Sequence, residues 1–313
     1  LSLNKRSGIL KVCCSIKKQI FSQPRVTMAV LGVAASEFFR LLPTFSQCLK
    51  QYRINLRPNR KRSVGGGRKG DLPTDEDKLL YILLYIKLYP TYDSLAVLTN
   101  HYRSKCGDSV QLLLPVLEMT LGRKLTLPKR YGYSLKEIFR QHPQIKDIFI
   151  DGTERRVQKP KNIKKRNKLY SGKKKATTRK VVIISDERRY IHYMGKTKSG
   201  RRHDKRLADK ESLIEGIPPD IVVWTDTGFT GASKRHAKTI MPSKATKNRP
   251  LTLQQKAENR IISSIRVVSE HAIAGYKKFK AASDVYRNRL ANFDDLLTEV
   301  SIGLHNFHLQ QAG

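Results

Sequence analysis

The chain has 313 residues, enough for one large domain and a small one. Lysine and arginine number 62 against 26 aspartate and glutamate residues, which gives a formal net charge of +36. Because such an excess repels itself unless a polyanion neutralises it, the composition favours a nucleic-acid partner. A membrane partner is not predicted, since the longest apolar run, Leu79–Ile86, is far shorter than the ~18 residues that a spanning helix needs.

The cysteines and the N-terminus carry two further expectations. Cys13, Cys14, Cys48 and Cys106 have no paired ligand spacing, so neither disulfides nor zinc fingers are predicted. The chain begins with leucine instead of methionine, which indicates either a fragment or an over-extended reading frame. With Met28 as the start, residues 1–27 would be a non-native extension.

The N-terminal part of the chain is predicted to be helical. Residues 28–70 give a helical region followed by a basic, glycine-rich linker. Residues 71–124 give three short helices, the first beginning at a capping box formed by Thr74 and Asp77. These helices are consistent with a helix-turn-helix DNA-binding domain, and a generic helical bundle explains the same periodicity equally well. Residues 125–145 form a connector.

Residues 146–308 change to a mixed pattern of strands and helices. The predicted strands are Ile148–Asp151, Val181–Ser185, Tyr190–Gly195 and Ile221–Asp226. The predicted helices are 204–214, 254–279 and 293–305. Strands clustered ahead of the helices, with one helix before the fourth strand, predict a mixed α/β sheet.

Two aspartates share a setting that points to metal binding. Asp151 and Asp226 each end a predicted strand and are closely followed by Gly152 and Gly228. A carboxylate at the end of a buried strand is costly unless its charge is compensated, and two on neighbouring strands would repel each other. Magnesium or manganese, which prefer oxygen ligands, would resolve both problems. Each aspartate could instead cap a turn, but the matching contexts favour metal.

A third carboxylate, Glu270, lies on the long predicted helix. The expected apolar stripe of that helix consists of Ile261, Ile265, Val268 and Ala272. Glu270 points away from the stripe, on the side of Arg266 and Lys277. An exposed Arg266–Glu270 pair, worth about 0.3–0.5 kcal/mol, also explains this placement, and spacing alone does not decide between ion pair and metal ligand.

A strongly basic stretch lies between the first two carboxylates. Arg155–Lys180 has 13 lysine or arginine residues among its 26 positions and no acidic residue. A solvated, disordered loop is one interpretation. Because the stretch begins beside the proposed metal site and contains Tyr170, which could stack on a base, we prefer a role in guiding DNA.

The motifs between Gly65 and Phe307 occur in a specific order. They read G-G-G-R-K (65–69), I-D-G-T-E (150–154), Y-S-G-K-K-K (170–175), H-D-K-R (203–206), W-T-D-T-G-F-T-G (224–231), N-R-I-I-S-S-I-R-V-V-S-E-H-A-I-A-G (259–275), Y-R-N-R (286–289) and G-L-H-N-F (303–307). This set resembles the DDE transposases of bacterial insertion sequences, in the Harbinger-related branch that has a helix-turn-helix ahead of a ribonuclease-H-like domain.

The resemblance implies a fold, a site and an activity. The fold would be α/β, a ribonuclease-H-like mixed sheet flanked by helices over 146–308, with a small N-terminal all-α helix-turn-helix domain. Asp151, Asp226 and Glu270 would be the catalytic triad, binding two divalent ions, Mg²⁺ or Mn²⁺. The protein would cut double-stranded DNA at the ends of its mobile element and join the 3′-OH ends to target DNA. It would act in the bacterial cytoplasm, associated with the nucleoid, as a homodimer or higher oligomer in a synaptic complex.

Other side chains would contact DNA or support the triad. The predicted DNA-binding residues are Arg155, Arg156, Lys173, Lys174, Lys175, Arg201, Arg202, Lys244, Arg266 and Lys277. Glu154, His203 and Asp204 could orient a ligand or water, and for the last two we prefer the role of capping a helix.

The chain departs from the family pattern at three places. Thr177-Thr178 stands where relatives usually carry His-Thr. Of the basic pair that usually follows Pro242, only Lys244 remains, with Ala245 in the second place. The third predicted helix of the N-terminal unit has Asp108-Ser109 in place of the usual Trp or Arg. Independently of the family, Gly107 and Asp108 are poor residues for a helix that enters the major groove. The departures affect DNA specificity more than chemistry. Two rival hypotheses are therefore kept, an inactive or domesticated DNA-binding protein derived from a transposase, and a basic RNA-binding protein.

Overall fold

The computed structural model describes residues 17–59, 61, 70–130, 135–229, 231–246 and 249–312, with the backbone but not the side chains of Asp204 and Lys205. Residues 1–16 of the predicted extension lie outside the described residues. The predicted glycine-rich linker lies outside them as well, apart from Gly70.

Helices dominate both ends of the chain and strands its middle. Besides a helical segment at 17–22, the described helices are α1 (Pro24–Leu31), α2 (Ala35–Leu56), α3 (Asp75–Leu88), α4 (Tyr92–Thr99), α5 (Arg103–Arg123), α6 (Leu135–Gln141), α7 (Ile163–Leu169), α8 (Asp204–Lys210), α9 (Leu253–Lys277), α10 (Lys280–Ser283) and α11 (Phe293–Ala312). The described strands are β1 (Asp147–Arg156), β2 (Tyr170–Ser171), β3 (Ala176–Asp186), β4 (Ile191–Met194), β5 (Lys198–Ser199), β6 (Val222–Thr225) and β7 (Thr239–Ile240).

The chain divides into two compact units. The helical unit comprises the chain up to Leu127, residues 277–282 and the residues from Leu296 onward, and the sheet unit comprises Pro128–Tyr276 and Ser283–Asp295. Residues 296–308, predicted to end the catalytic domain, thus fall in the helical unit. The side-chain amide of Asn306 donates to the carbonyl of Thr126 at 2.9 Å, which ties α11 to the end of α5.

In the helical unit, α3 starts at the predicted capping box. The Thr74 hydroxyl accepts from the Asp77 amide at 3.1 Å, and the Asp77 carboxylate accepts from the Thr74 amide at 3.0 Å. The apolar run Leu79–Ile86 is buried along its whole length, so it forms a core helix. Over the described residues no single helix is long and apolar enough to cross a membrane; α1 and α2, bent by 50°, pass that test only as a pair.

The third of the helices predicted within residues 71–124 is longer in the structure than predicted. The sequence predicts this helix over Arg103–Glu118, whereas α5 continues to Arg123 and passes through Gly107 without a break. A Cβ on Gly107 would lie 3.4 Å from the ring of Tyr92. This is ordinary van der Waals contact, so the packing of α4 against α5 does not require a glycine at this position.

The sheet unit is built on a mixed sheet, as predicted. The order of the strands is β2-β3-β1-β6-β7, with β4 and β5 also paired to β3. Strand β1 is antiparallel to β3 and parallel to β6, and β6 is parallel to β7. One face of the sheet packs against α6 and α8 in a core that includes Ile148, Ile150, Val223, Ile138 and Leu207.

Strand β1 is longer than predicted. The sequence analysis ended it at Asp151, before Gly152, but the strand continues to Arg156. Pairing with β3 accounts for the difference, since the register runs without interruption from Ile148 opposite Asp186 to Arg156 opposite Thr178. Asp151 therefore lies in the middle of a strand and not at its end.

The basic stretch 155–180 is ordered and not a loop. Its ends belong to β1 and β3, and α7 and β2 lie between them. The side chain of Asn162 caps α7 by accepting from the Lys165 amide at 3.0 Å. The side chains of α7 are exposed or half-buried, so its basic residues face solvent.

Candidate active site

Asp151 and Asp226 continue the register of two parallel strands. Phe149 pairs with Trp224, and Ile150 pairs with Thr225, so the two aspartates are the next residues in the same register. Side chains alternate between the faces of a strand, which places both carboxylates on the face of Phe149 and Trp224. The Phe149 and Trp224 rings stack on that face with centroids 6.3 Å apart. The strand spacing of about 4.8 Å brings the aspartates side by side.

Each aspartate also bonds to the amide that follows it. Asp226 Oδ1 accepts from the Thr227 amide at 2.6 Å, and Asp151 Oδ1 accepts from the Gly152 amide at 2.7 Å. These contacts are the turn-capping alternative to metal binding, and each involves a single carboxylate oxygen. The side chain of Asp226 remains 37% exposed and open to a ligand.

Helix α9 packs against the sheet only near its C-terminal end. Its buried side chains among the described residues are Ser269, Ala272 and Tyr276, spaced as one face of a helix. The predicted apolar stripe is wrong at Ile261, which is 62% exposed. Before Ser269 the described side chains of α9 are exposed or half-buried, so the helix is covered only over its last third.

Two side chains of α9 reach the row that carries the aspartates. Arg266 Nη1 lies 3.9 Å from Asp226 Oδ1, and the Arg266 side chain is only 15% exposed. Ten residues further on, the hydroxyl of the buried Tyr276 is hydrogen-bonded to the hydroxyl of Thr153, two residues after Asp151. Burial raises the pKa of Tyr276 far above its usual range, and the nearby charge of Asp151 raises it further. The phenol therefore keeps its proton.

Glu270 lies on α9 between these two contacts. It follows Arg266 by four residues and precedes Tyr276 by six, and its side chain is exposed. Among the residues that the structure describes, no three histidine, cysteine, aspartate or glutamate side chains are close enough together to hold a metal ion. The fold therefore places Asp151 beside Asp226 and brings the helix of Glu270 to them. Among the described residues, the Glu270 side chain does not complete a three-ligand site with the two aspartates.

One of the predicted supporting residues, Glu154, has structural partners away from the aspartates. Glu154 lies on the opposite face of β1 from Asp151, 3.2 Å from Lys180, and accepts from the Thr178 hydroxyl at 2.6 Å. Burial raises the pKa of Glu154, but the hydrogen bonds from Thr178 and Ser171 and the charge of Lys180 outweigh it and lower the pKa overall. Glu154 therefore stabilises the pairing of β1 with β3.

The predicted cap of α8 is only partly met. His203 occupies the N-cap position, but within the part of the chain that the structure describes its ring makes no capping hydrogen bond. The side chain of Asp204 lies outside the described residues.

The predicted DNA-binding residues separate into exposed and buried sets. Arg155 is only 8% exposed; its Nε donates to the carbonyl of Asp284 at 2.8 Å, and its guanidinium lies over the ring of Tyr286. We therefore correct its role from a DNA contact to a structural one. Lys277 is half-buried and belongs to the helical unit. The exposed residues of the set are Arg156, Lys173, Lys174, Lys175, Arg201, Arg202 and Lys244.

Sequence reasoning missed the partners that hold this site. Asn259 bonds twice to the backbone of Ser243, accepting at 2.8 Å and donating at 2.9 Å, which keeps Lys244 beside α9. Thr153 could have been found from its position two residues after Asp151, on the same face of β1. Tyr276 gave no such local signal.

Comparison with known proteins defines the class of this site. A family model described as DDE superfamily endonuclease matches residues 150–306, just over half of the chain and including all three carboxylates. The chain belongs to this family of endonucleases, which confirms the predicted relationship to DDE enzymes; the Harbinger-related branch and the helix-turn-helix stay predictions.

Its curated relatives are transposases of insertion sequences. The chain is 28% identical over 278 residues to the probable transposase for insertion sequence element IS702 of Microchaete diplosiphon, covering 88% of this chain and 96% of that protein. It is 33% identical over 130 residues to the transposase for insertion sequence element IS1106 of Neisseria meningitidis serogroup B, covering 39% of this chain and 42% of that protein. No solved structure matches the chain.

Proposed function

We propose that this protein is a transposase that cuts DNA at the ends of its mobile element and joins the 3′-OH ends to target DNA. The observation that carries the proposal is the parallel register of β1 and β6, which continues into Asp151 and Asp226 on one face of the sheet. Family membership and the insertion-sequence relatives support the same activity.

The residues present fit divalent metal ions. Asp151 and Asp226 offer carboxylate oxygens, the donors that Mg²⁺ and Mn²⁺ prefer, and their like charges on adjacent strands favour a cation between them. We infer that Glu270 is the third ligand, because α9 is fastened to the sheet on either side of it. When bound, two such ions supply an activated water and stabilise the departing 3′ oxygen.

The DNA would approach along the exposed basic residues. Arg156, Lys173–Lys175 and the basic face of α7 flank the strand that carries Asp151, and Lys244 lies beside α9. Phosphate contacts of this kind give steep salt dependence. We further propose that the sheet unit is ribonuclease-H-like and that α3–α5 contain the helix-turn-helix.

The decisive experiment replaces one carboxylate of the proposed site. Asp226→Asn should abolish Mn²⁺-dependent nicking of the element ends while leaving DNA binding within about twofold, because the amide keeps the shape but loses the charge that holds a cation. Asp220→Asn is the matched control, since Asp220 is exposed just before the same strand. Nicking by Asp226→Asn at the wild-type rate would remove Asp226 from the site.

One observation favours the alternative, a DNA-binding protein descended from a transposase without its activity. No three ligand side chains are assembled among the described residues. The alternative predicts that the wild-type protein binds its element ends but nicks them with neither Mg²⁺ nor Mn²⁺.

A further inference from the structure

A hydrogen bond fastens the helix of Glu270 to the strand of Asp151. Tyr276 is fully buried, and its hydroxyl is bonded to the hydroxyl of Thr153, which is buried as well. Thr153 follows Asp151 by two residues and so lies on the same face of β1. The bond therefore joins α9 to the row of side chains that carries Asp151.

The second contact of α9 is of a different kind. Arg266 reaches Asp226 across 3.9 Å with a long side chain, a separation that an ion pair tolerates but that fixes no backbone position. Tyr276 has a rigid ring, is only 1% exposed and is hydrogen-bonded through its hydroxyl to Thr153. Of the two, Tyr276 determines where the helix backbone lies.

Glu270 lies on the segment between these contacts. It is about 6 Å along the helix axis from Arg266 and about 9 Å from Tyr276, at a rise of about 1.5 Å per residue. Ser269 and Ala272, the other buried side chains of α9, are small and allow the helix to approach the sheet closely. A shift at Tyr276 would therefore move Glu270 relative to both aspartates.

We propose that Tyr276 is a positioning residue, whose bond to Thr153 sets the reach of Glu270 toward Asp151 and Asp226. This inference rests on the proposed function, because it assumes that the three carboxylates share divalent ions. Tyr276 itself contacts neither DNA nor metal. The competing explanation is that the bond merely satisfies two buried hydroxyls, which would affect stability alone.

Variants that remove one hydroxyl each test the proposal on the full chain. Tyr276→Phe and Thr153→Val keep the shape of the side chain and lose the bond. Tyr193→Phe is the matched control, because Tyr193 is also fully buried in the sheet unit and donates to Glu211 at 2.5 Å, on the other face of the sheet. Thr153→Ser retains the hydroxyl and should behave as wild type.

The primary measurement is Mn²⁺ binding by titration calorimetry, without DNA. Trp224, the only tryptophan of the chain and two residues before Asp226, gives an independent fluorescence signal for the same binding. Tyr276→Phe and Thr153→Val should each weaken Mn²⁺ binding roughly three- to tenfold, the loss expected for one hydrogen bond. The double variant should be no weaker than either single one, since both remove the same bond. Tyr193→Phe should bind as wild type.

Hydrogen exchange and melting temperature separate positioning from stability. In Tyr276→Phe the amides of residues 269–277 should exchange faster, whereas in Tyr193→Phe they should not. Mn²⁺ affinity of Tyr276→Phe equal to wild type, with a melting temperature lowered as in Tyr193→Phe, would overturn the positioning role and leave the proposed function standing. A wild-type protein that binds no Mn²⁺ would overturn the proposed function and this inference together.

Discussion

Arg266 places a positive charge beside Asp226. Arg266 lies 3.9 Å from Asp226 and is largely buried, so its guanidinium compensates part of the negative charge of the two adjacent aspartates. A divalent ion bound by the same carboxylates, as proposed above, would compete with this contact. Once released, the guanidinium is a suitable donor for a DNA phosphate.

Replacing Arg266 should therefore change metal binding and DNA cleavage in opposite directions. Arg266→Gln should bind Mn²⁺ about two- to fivefold more tightly, because a partly exposed ion pair is worth roughly 0.5–1 kcal/mol. Nicking of the element ends should nevertheless fall, since the neutral glutamine no longer holds a phosphate. Calorimetry and a nicking assay measure the two effects separately.

Arg260→Gln is the control for that substitution, since Arg260 is exposed on the same helix. It should leave Mn²⁺ binding unchanged. Weaker Mn²⁺ binding by Arg266→Gln would contradict the competition between guanidinium and metal.

We call the segment between β1 and β3, residues 157–175, the insertion. At the scale of elements, it is the most basic part of the sheet unit. Helix α7 has seven residues, too few to be stable alone, so its order depends on the strands that flank it and on the cap from Asn162. Strand β2 holds the end of the segment against β3, with Tyr170 paired to Thr177. On the proposed path of the DNA, a duplex entering the site would meet the exposed lysines of α7.

Removing charge from α7 should weaken DNA binding and reduce its salt dependence. The variant Lys164→Gln, Lys165→Gln, Lys168→Gln should lower the slope of log affinity against log salt by about 0.9 for every phosphate that the helix no longer neutralises. A triple variant of Lys210, Lys234 and Lys238, which are exposed outside the insertion, is the matched control. Equal changes of slope in both triple variants would mean that the insertion contributes only net charge.

The sequence predicted those features whose cause is local. The capping box of Thr74 and Asp77 and the buried run Ile148–Ile150 were both predicted, because adjacent residues determine them. The extension of β1 to Arg156 could not be predicted, since it depends on β3. The burial of Arg155 depends on Tyr286, which is remote in the sequence.

The parts of the candidate site that the sequence predicted are likewise those with a local cause. The aspartates were recognised because each follows an apolar run, and their register follows from parallel pairing. The contact face of α9 was not predicted correctly, because periodicity gives a stripe but not the length over which the sheet covers it. Ile261 belongs to the predicted stripe but is 62% exposed.

At the scale of the whole molecule, charge is the dominant property. A net charge of +36 opposes the compact state through self-repulsion, and a bound polyanion removes that repulsion. The repulsion acts within both units, since basic residues occur along the whole chain. Stability and DNA binding are therefore coupled, and salt acts on them in opposite ways.

The melting temperature should accordingly depend on salt with a sign that DNA reverses. Without DNA, raising NaCl should raise the melting temperature by screening the repulsion, at about 2–4 °C per kcal/mol gained. With saturating duplex DNA the melting temperature should start higher and fall with salt, because salt weakens the binding that stabilises the folded chain. Differential scanning fluorimetry in a salt series measures both curves. A DNA-free curve that falls with salt would contradict the repulsion argument, and stronger stabilisation by an RNA duplex of equal length would favour the RNA-binding hypothesis over a DNA transposase.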